Sequence, residues 1–272
     1  MTLPAVPEPF HWIDAPWGHA LICRALAGVA PHLFSTRQLE LSSDTHAAAL
    51  TASLGALRLV QVNQVHGRVH VVVRAGEPLA SGDRPEADIL VSNATEAAIA
   101  VRAADCVPIL IADRRNGAVA AAHAGWRGLA AGVPRVAIDA LTREFGSRPA
   151  DLVAAAGPSI GACCYEVGSE VRQRFEEAGW PASKTSGWFF ERAQPTAANP
   201  SMAGLRPDPR PGFWYFDSGR AAGDQLESAG VPRDQIFLAG LCTASHPAVL
   251  CSYRRDGAGC GRIAGAIRST SS

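Results

Sequence analysis

Apolar residues along this chain fall in short blocks bounded by turn residues, the pattern of buried strands more than of long helices. The clearest case is the pair of runs 107–112 (VPILIA) and 118–122 (AVAAA), separated by Asp113-Arg114-Arg115-Asn116-Gly117. Asn-Gly supplies the positive φ angles of a tight turn, so the spacing predicts a β-hairpin. Cys106 then enters the first strand and His123 leaves the second, which puts both at one end of the sheet. Upstream, 20–26 and 33–37 read as extended pieces. Runs 57–65 and 69–73 read as paired strands turning at Val65-His66-Gly67-Arg68, and 87–92 and 97–103 as two further strands. Helical spacing marks 129–145, 166–178 and 217–229, with Pro134 tolerated early in the first and Gly146 beyond its end. Asp44 reads as the N-cap of an alanine-rich helix ending near Gly55. Strands are expected at 151–156 and 235–241, and a closing strand pair at 248–253 and 263–267. Residues 1–18 read as an irregular arm and 181–212 as a long Pro-rich loop.

Many short strands without strict βαβ alternation predict one domain over residues 1–272, a mixed-sheet α/β (α+β) sandwich and not a dinucleotide fold. The G-x-G-x-x-G fingerprint and the phosphate-binding P-loop are both missing. Lys plus Arg number 25 and Asp plus Glu 25, so no basic field invites nucleic acid. No apolar run approaches the roughly 18 residues that span a bilayer, and the N-terminus lacks a secretory pattern. Seven cysteines, an odd number, fit a reduced compartment, and the expected location is cytoplasmic.

His66, Cys106 and His123 are the candidate chemistry, all at inferred strand ends. Two imidazoles and a thiolate are the donors zinc favours, and a catalytic zinc site keeps three protein ligands and one open position. The same atoms admit a second reading, Cys106 as nucleophile with His123 as its base and Gln64 or a backbone nest as oxyanion donor. They also admit a third, a buried thiol beside two satisfied strand-end histidines. Glu166 and Asp105 are candidate acid/base groups. Trp126 and Arg127 read as structural, and Cys163 and Cys164 as packing residues or neighbours of the site.

Six segments occur in order: NQVHG (63–67), ADC (104–106), HAGWRG (123–128), GPSIGACCYEVG (157–168), CTAS (242–245) and SYRRDG (252–257) followed by Gly261-Arg262. On them the chain resembles the multicopper polyphenol oxidase, or laccase-domain, family. Members of that family are also called purine nucleoside phosphorylases and peptidoglycan editing factors. The resemblance spans about residues 20–268. It implies an α/β/β/α layered sandwich, like that of deamidase toxins, with one zinc ion per chain on His66, Cys106 and His123. Copper could enter such a site in vitro without making a multicopper centre. A multicopper oxidase needs about ten histidines, many as His-x-His; this chain has eight and no such pair, which argues against laccase chemistry.

The resemblance therefore implies phosphorolysis of adenosine, inosine, guanosine and methylthioadenosine, and deamination of adenosine, with purine nucleoside and phosphate as partners. Amide hydrolysis that edits peptidoglycan precursors is the alternative. Arg37, which matches the family's Ser-Thr-Arg, and Arg254 are the expected phosphate contacts, Tyr253 the base contact, and Gln64 a further substrate contact. After Arg37 the family's glycine-rich run is replaced by QLELSSDTHAAAL.

Overall fold

A computed structural model describes residues 2–77, 84–205 and 208–270. The strands are β1 (Phe10–Ala15), β2 (Gly18–Cys23), β3 (His32–Ser35), β4 (Arg58–Val60), β5 (His70–Val73), β6 (Ile89–Ser92), β7 (Ala97–Ala103), β8 (Val107–Asp113), β9 (Val119–Ala124), β10 (Leu152–Ala156), β11 (Glu166–Gly168), β12 (Phe189–Phe190), β13 (Phe213–Phe216), β14 (Ile236–Leu238) and β15 (Ile263–Arg268). The helices are α1 (Arg24–Ala27), α2 (Asp44–Ser53), α3 (Trp126–Ala130), α4 (Val133–Phe145), α5 (Ser169–Glu177), α6 (Ala182–Thr185), α7 (Ser218–Ser228) and α8 (Tyr253–Asp256). Two six-stranded mixed sheets form, ordered β1-β2-β3-β15-β7-β4 and β14-β10-β8-β9-β6-β5, with a small β11-β13-β12 sheet beside them.

Alternation along the strands explains the layering. Ile99 and Val101 of β7 and Ile263 and Ile267 of β15 meet Leu110 of β8, Val119 of β9 and Val153 of β10 in a core between the two sheets. The opposite face of the first sheet, Ala98, Ala100, Ala264 and Ala266, lies under Leu50 of α2. Ile109, Ile111, Ala120 and Ala122 on the far face of the second sheet pack against α4, α5 and α7 through Ile138, Phe175 and Leu226. The result is the expected single-domain α/β/β/α sandwich. The central hairpin forms as predicted, with Val107 paired to Ala124 and Pro108 to His123. Asp113 Oδ1 accepts from the N–H groups of Arg115 (2.7 Å) and Asn116 (3.4 Å) to shape its turn.

Several expectations are corrected. The runs at 57–65 and 69–73 do not pair. β4 runs parallel to β7 in the first sheet and β5 parallel to β6 in the second, so the segment between them crosses from one sheet to the other. An apolar run shows that a strand is buried but not which sheet receives it. The 248–253 run is no strand: Val249, Leu250 and Cys251 plug the core as a loop, while β15 pairs with β3 and β7. The supposed irregular arm contains β1, a hairpin partner of β2. Ser43, not Asp44, caps α2, its hydroxyl accepting from the His46 N–H. Glu166–Gly168 is a strand before the helix α5 begins. The 181–212 segment holds α6 and β12, anchored by Trp188 and Phe189, which bury against Phe175 and Phe216; its residues 206–207 lie outside the described ones.

One buried histidine makes stability depend on pH. His32, 5% exposed, accepts the Cys23 N–H at Nε2 (3.0 Å) and donates from Nδ1 to the Ala30 carbonyl (3.1 Å). Burial, partly offset by that carbonyl, lowers its pKa from 6.5 to about 4. Because the folded value lies below the unfolded one, stability is complete above pH 6.5 and declines as pH falls toward 4. The loss from this group is about 3 kcal/mol. Urea titrations across that window should show the decline, and His32→Gln, which keeps a donor and an acceptor, should flatten it by about one proton. Equal slopes in both proteins would refute the assignment.

Candidate metal centre

His66, Cys106 and His123 converge: one donor atom from each lies within 4.8 Å of the others. Their origins explain why. His66 sits on the crossover from β4 to β5, Cys106 on the crossover from β7 to β8, and His123 near the end of β9. Both crossovers bend through left-handed backbone at non-glycine residues, His66 (φ 59°) and Asp105 (φ 86°). Such a conformation is strained unless its surroundings fix it. Asp105 is fixed by Thr243 Oγ1 and the Arg254 N–H, each donating to its carboxylate at 2.6 Å, and by the Ile160 N–H on its carbonyl at 2.9 Å.

The His66 bend is fixed by Asp88, a fully buried carboxylate just ahead of β6. Asp88 accepts the backbone N–H groups of Val65 (3.3 Å), His66 (3.0 Å) and Gly67 (2.6 Å), and also His123 Nδ1 at 2.8 Å. Burial works against its charge, yet the His123 and Gly67 hydrogen bonds hold its carboxyl below the ordinary range. The His123 contact orients the imidazole and leaves Nε2 free as ligand, the usual outer partner of a metal-binding histidine. The His66 and His123 rings meet edge to face at 4.9 Å between centroids. Gly125 leaves room for them, since a Cβ there would lie 2.9 Å from Cys106 Sγ and 3.1 Å from His66 Cδ2.

Burial opposes ionisation of Cys106, but hydrogen bonds to His123 and His66 outweigh it and bring the thiol down to about 6. Burial likewise opposes charge on His123, while Asp88 and Cys106 raise it to about 9. Without metal the two form a thiolate–imidazolium pair. A thiolate already favoured near neutral pH, with two imidazoles beside it, fits a zinc-type ion.

The cluster lines a cavity of about 580 Å3. Gln64, Tyr253 and Arg254 line it, and so do Trp126 and Arg127, which read as structural in the sequence. Gln64 is committed to backbone: its Nε2 donates to the Arg102 carbonyl (2.7 Å) and its Oε1 accepts the Arg102 N–H (2.8 Å). Arg37 is not on the cavity wall; its guanidinium donates to the Pro247 carbonyl at an exposed position. Glu166 is held by Arg210 through two hydrogen bonds of 3.1 and 2.7 Å, away from the cavity lining. Wall or support residues given no role by sequence reading include Asp88, Tyr165, Arg102 and Arg262. A lone acid inside the apolar run Ala87-Asp88-Ile89-Leu90-Val91 was the signal for the first. Tyr165 packs under Arg254, whose guanidinium carbon lies 5.1 Å from its ring centroid.

A family model described as multi-copper polyphenol oxidoreductase laccase matches residues 40–270. The purine nucleoside phosphorylase of Deinococcus radiodurans is 31% identical over 262 residues, 89% of this chain and 90% of that protein. One from Bacteroides thetaiotaomicron is 34% identical over 180 residues, 66% of this chain, and the match spans only 60% of that relative's length. The crystal structure of a Bacillus licheniformis hypothetical protein, YfiH, superposes with a TM-score of 0.78 at 25% identity, covering 97% of this chain and all of that one. Among the described residues no helix is long and apolar enough to cross a membrane. The donor cluster and the enzyme relatives together support metal-dependent catalysis in general. With a family model covering most of its length and a shared fold, the chain belongs to the multi-copper polyphenol oxidoreductase laccase, or laccase-domain, family.

Proposed function

We propose that the chain is a zinc-dependent purine nucleoside enzyme, cleaving adenosine, inosine, guanosine and methylthioadenosine with phosphate and also deaminating adenosine. One observation carries the reading: a single cavity joins the three metal donors to aromatic rings and to arginines whose guanidinium groups, among the described residues, make no ion pair. Trp126, Tyr165 and Tyr253 offer surfaces on which a purine can stack. Burial keeps the Tyr165 hydroxyl protonated and thus a donor. Arg102 is half-buried, and desolvation together with the charges of Arg84 and Arg262 works against its own charge. Among the described residues its guanidinium has no ion-pair partner. An anion such as phosphate relieves that repulsion and suits a guanidinium fork. Phosphorolysis therefore draws more support from the walls than deamination does, and Arg102 replaces Arg37 as the favoured phosphate contact.

Zinc, held by His66, Cys106 and His123, would supply a Lewis acid beside the bound nucleoside. The chain's own residues do the rest: Asp88 keeps the proton on His123 Nδ1, Arg102 and Arg254 place the anion, and the rings exclude water from one face of the base. The bound phosphate, an anion beside the ribosyl centre, would favour the positive charge that centre gains as the purine leaves.

Metal analysis of the purified protein, followed by chromatography after incubation with adenosine or inosine with and without phosphate, tests the reading. About one zinc per chain and phosphate-dependent base release support it; neither metal nor turnover would refute it. Arg102→Ala is expected to raise the KM for phosphate roughly 10- to 100-fold, the worth of a charge-assisted hydrogen bond, with metal content unchanged. An unchanged phosphate KM would remove Arg102 from the anion site.

A second reading has its own observation. Asp88, His123 and Cys106 stand in the order of an acid–base–nucleophile chain, with the thiol already low. That arrangement favours attack on an amide carbonyl in peptidoglycan precursors. Metal-free protein that hydrolyses such amides and ignores nucleosides would select it.

A further inference from the structure

Away from the cavity, three buried sulfurs meet. Cys163, Cys164 and Cys242 are each at most 3% exposed, and their Sγ atoms lie within 4.8 Å of one another. None of them lines the nucleoside cavity. The first two pack, one of the two readings their sequence offered, in a buried cluster with Ile160 and Ala244 rather than at the cavity. The cluster forms because the Gly161–Tyr165 turn and the 242–245 segment are held together, Ser159 bridging to Cys242 in parallel register and the Ser159 N–H bonding the Leu241 carbonyl (3.1 Å).

We propose that Cys163, Cys164 and Cys242 form a second metal site, an all-sulfur pocket for a soft monovalent ion of the Cu(I) type. Thiolates select soft ions, and an exclusively sulfur set selects them over the harder divalent metals. The described residues add no fourth His, Cys or carboxylate to the group, whereas zinc in a closed site takes four ligands. Three sulfurs alone suit a low-coordinate monovalent ion.

Backbone N–H groups face two of the three sulfurs. The Gly161 N–H points at Cys242 Sγ (3.5 Å) and the Met202 N–H at Cys164 Sγ (3.2 Å). As thiols, Cys163 and Cys164 face acceptors: Ser245 Oγ, which donates to the Pro200 carbonyl (2.6 Å), lies 3.6 Å from both, and Cys164 Sγ donates to the same carbonyl (3.7 Å). Backbone N–H groups on sulfur are the outer partners that thiolate ligands use. Cys163 and Cys242 also line a cleft of about 220 Å3 shared with Asn199 and Arg220, which gives an ion a way in. As the ion binds, each sulfur still protonated releases its proton to solvent, and no electron is transferred.

The test uses the reduced full chain under anaerobic conditions, titrated with Cu(I) against a chromophoric Cu(I) chelator. Cys106→Ala, which empties the catalytic cluster of its thiolate, should still hold about one Cu(I) per chain. Cys106→Ala/Cys242→Ala should fall below a tenth of an equivalent with its thermal midpoint within a few degrees of the single variant. Copper-edge X-ray absorption on loaded Cys106→Ala should show sulfur neighbours alone, which keeps the proposal testable if the double variant does not fold. No Cu(I) retained by Cys106→Ala, retention that survives loss of Cys242, or a nitrogen or oxygen neighbour in the absorption data would each overturn it.

Discussion

Cys106→Ala is expected to cut bound metal from about one equivalent to less than a tenth and turnover by about 10^3-fold. It removes the anionic member of the donor set, leaving two neutral imidazoles that bind zinc far more weakly. Metal stabilisation of transition-state charge is worth several kcal/mol, and about 4 kcal/mol corresponds to that rate factor. Cys106 is only partly buried, so the fold should persist, and metal-free wild type and variant should unfold at similar denaturant concentrations. Plasma emission analysis and initial rates measure the two effects. A variant that keeps its zinc would show that the thiol is no ligand. One that loses zinc yet keeps nucleoside turnover would show that the metal is not catalytic.

Asp88→Asn should do as much damage from one bond further out. The carboxylate accepts four N–H groups, His66 N and His123 Nδ1 on one oxygen and Val65 N and Gly67 N on the other. An asparagine fills the same space but points an NH2 at two of those donors, whichever way it turns. Leaving buried donors unanswered beside a lost charge costs about 3 kcal/mol. Loss of such an outer carboxylate typically weakens metal binding by about 10- to 100-fold. Chelator competition and denaturant midpoints should therefore both shift. If metal affinity changes less than twofold, Asp88 holds the bend but does not tune the ligand.

The sequence made one half of this centre easy to see. Two apolar runs joined by Asn-Gly placed Cys106 and His123 on neighbouring strand ends, because hairpin geometry is local. His66 could be placed at a bend but not across from them, since that depends on β4 and β5 belonging to different sheets. Asp88 was hidden for a related reason: a strand pattern shows that a residue is buried, not which backbone it will face. The resemblance supplied the ligand set; the carboxylate behind it came only from coordinates. The Pro-rich stretch is loop over most of its described length, but its prolines obscure the anchors Trp188 and Phe189. Cys242 and the Cys163-Cys164 pair lie about 80 residues apart in the chain, so no local rule joins them.

The two crossovers that carry His66 and Cys106 run between the sheets, and Asp88, at the head of a second-sheet strand, grips the first of them. Neither sheet alone owns a complete donor set, and an ion has nothing to recognise until the layers have stacked. Capture of an ion by these donors would therefore seal the fold after the layers have packed. By mass action it would deepen the native state by about 2.7 kcal/mol when free metal exceeds its dissociation constant 100-fold. In a cell short of the ion, this protein would lose durability together with chemistry, and its abundance would follow metal supply.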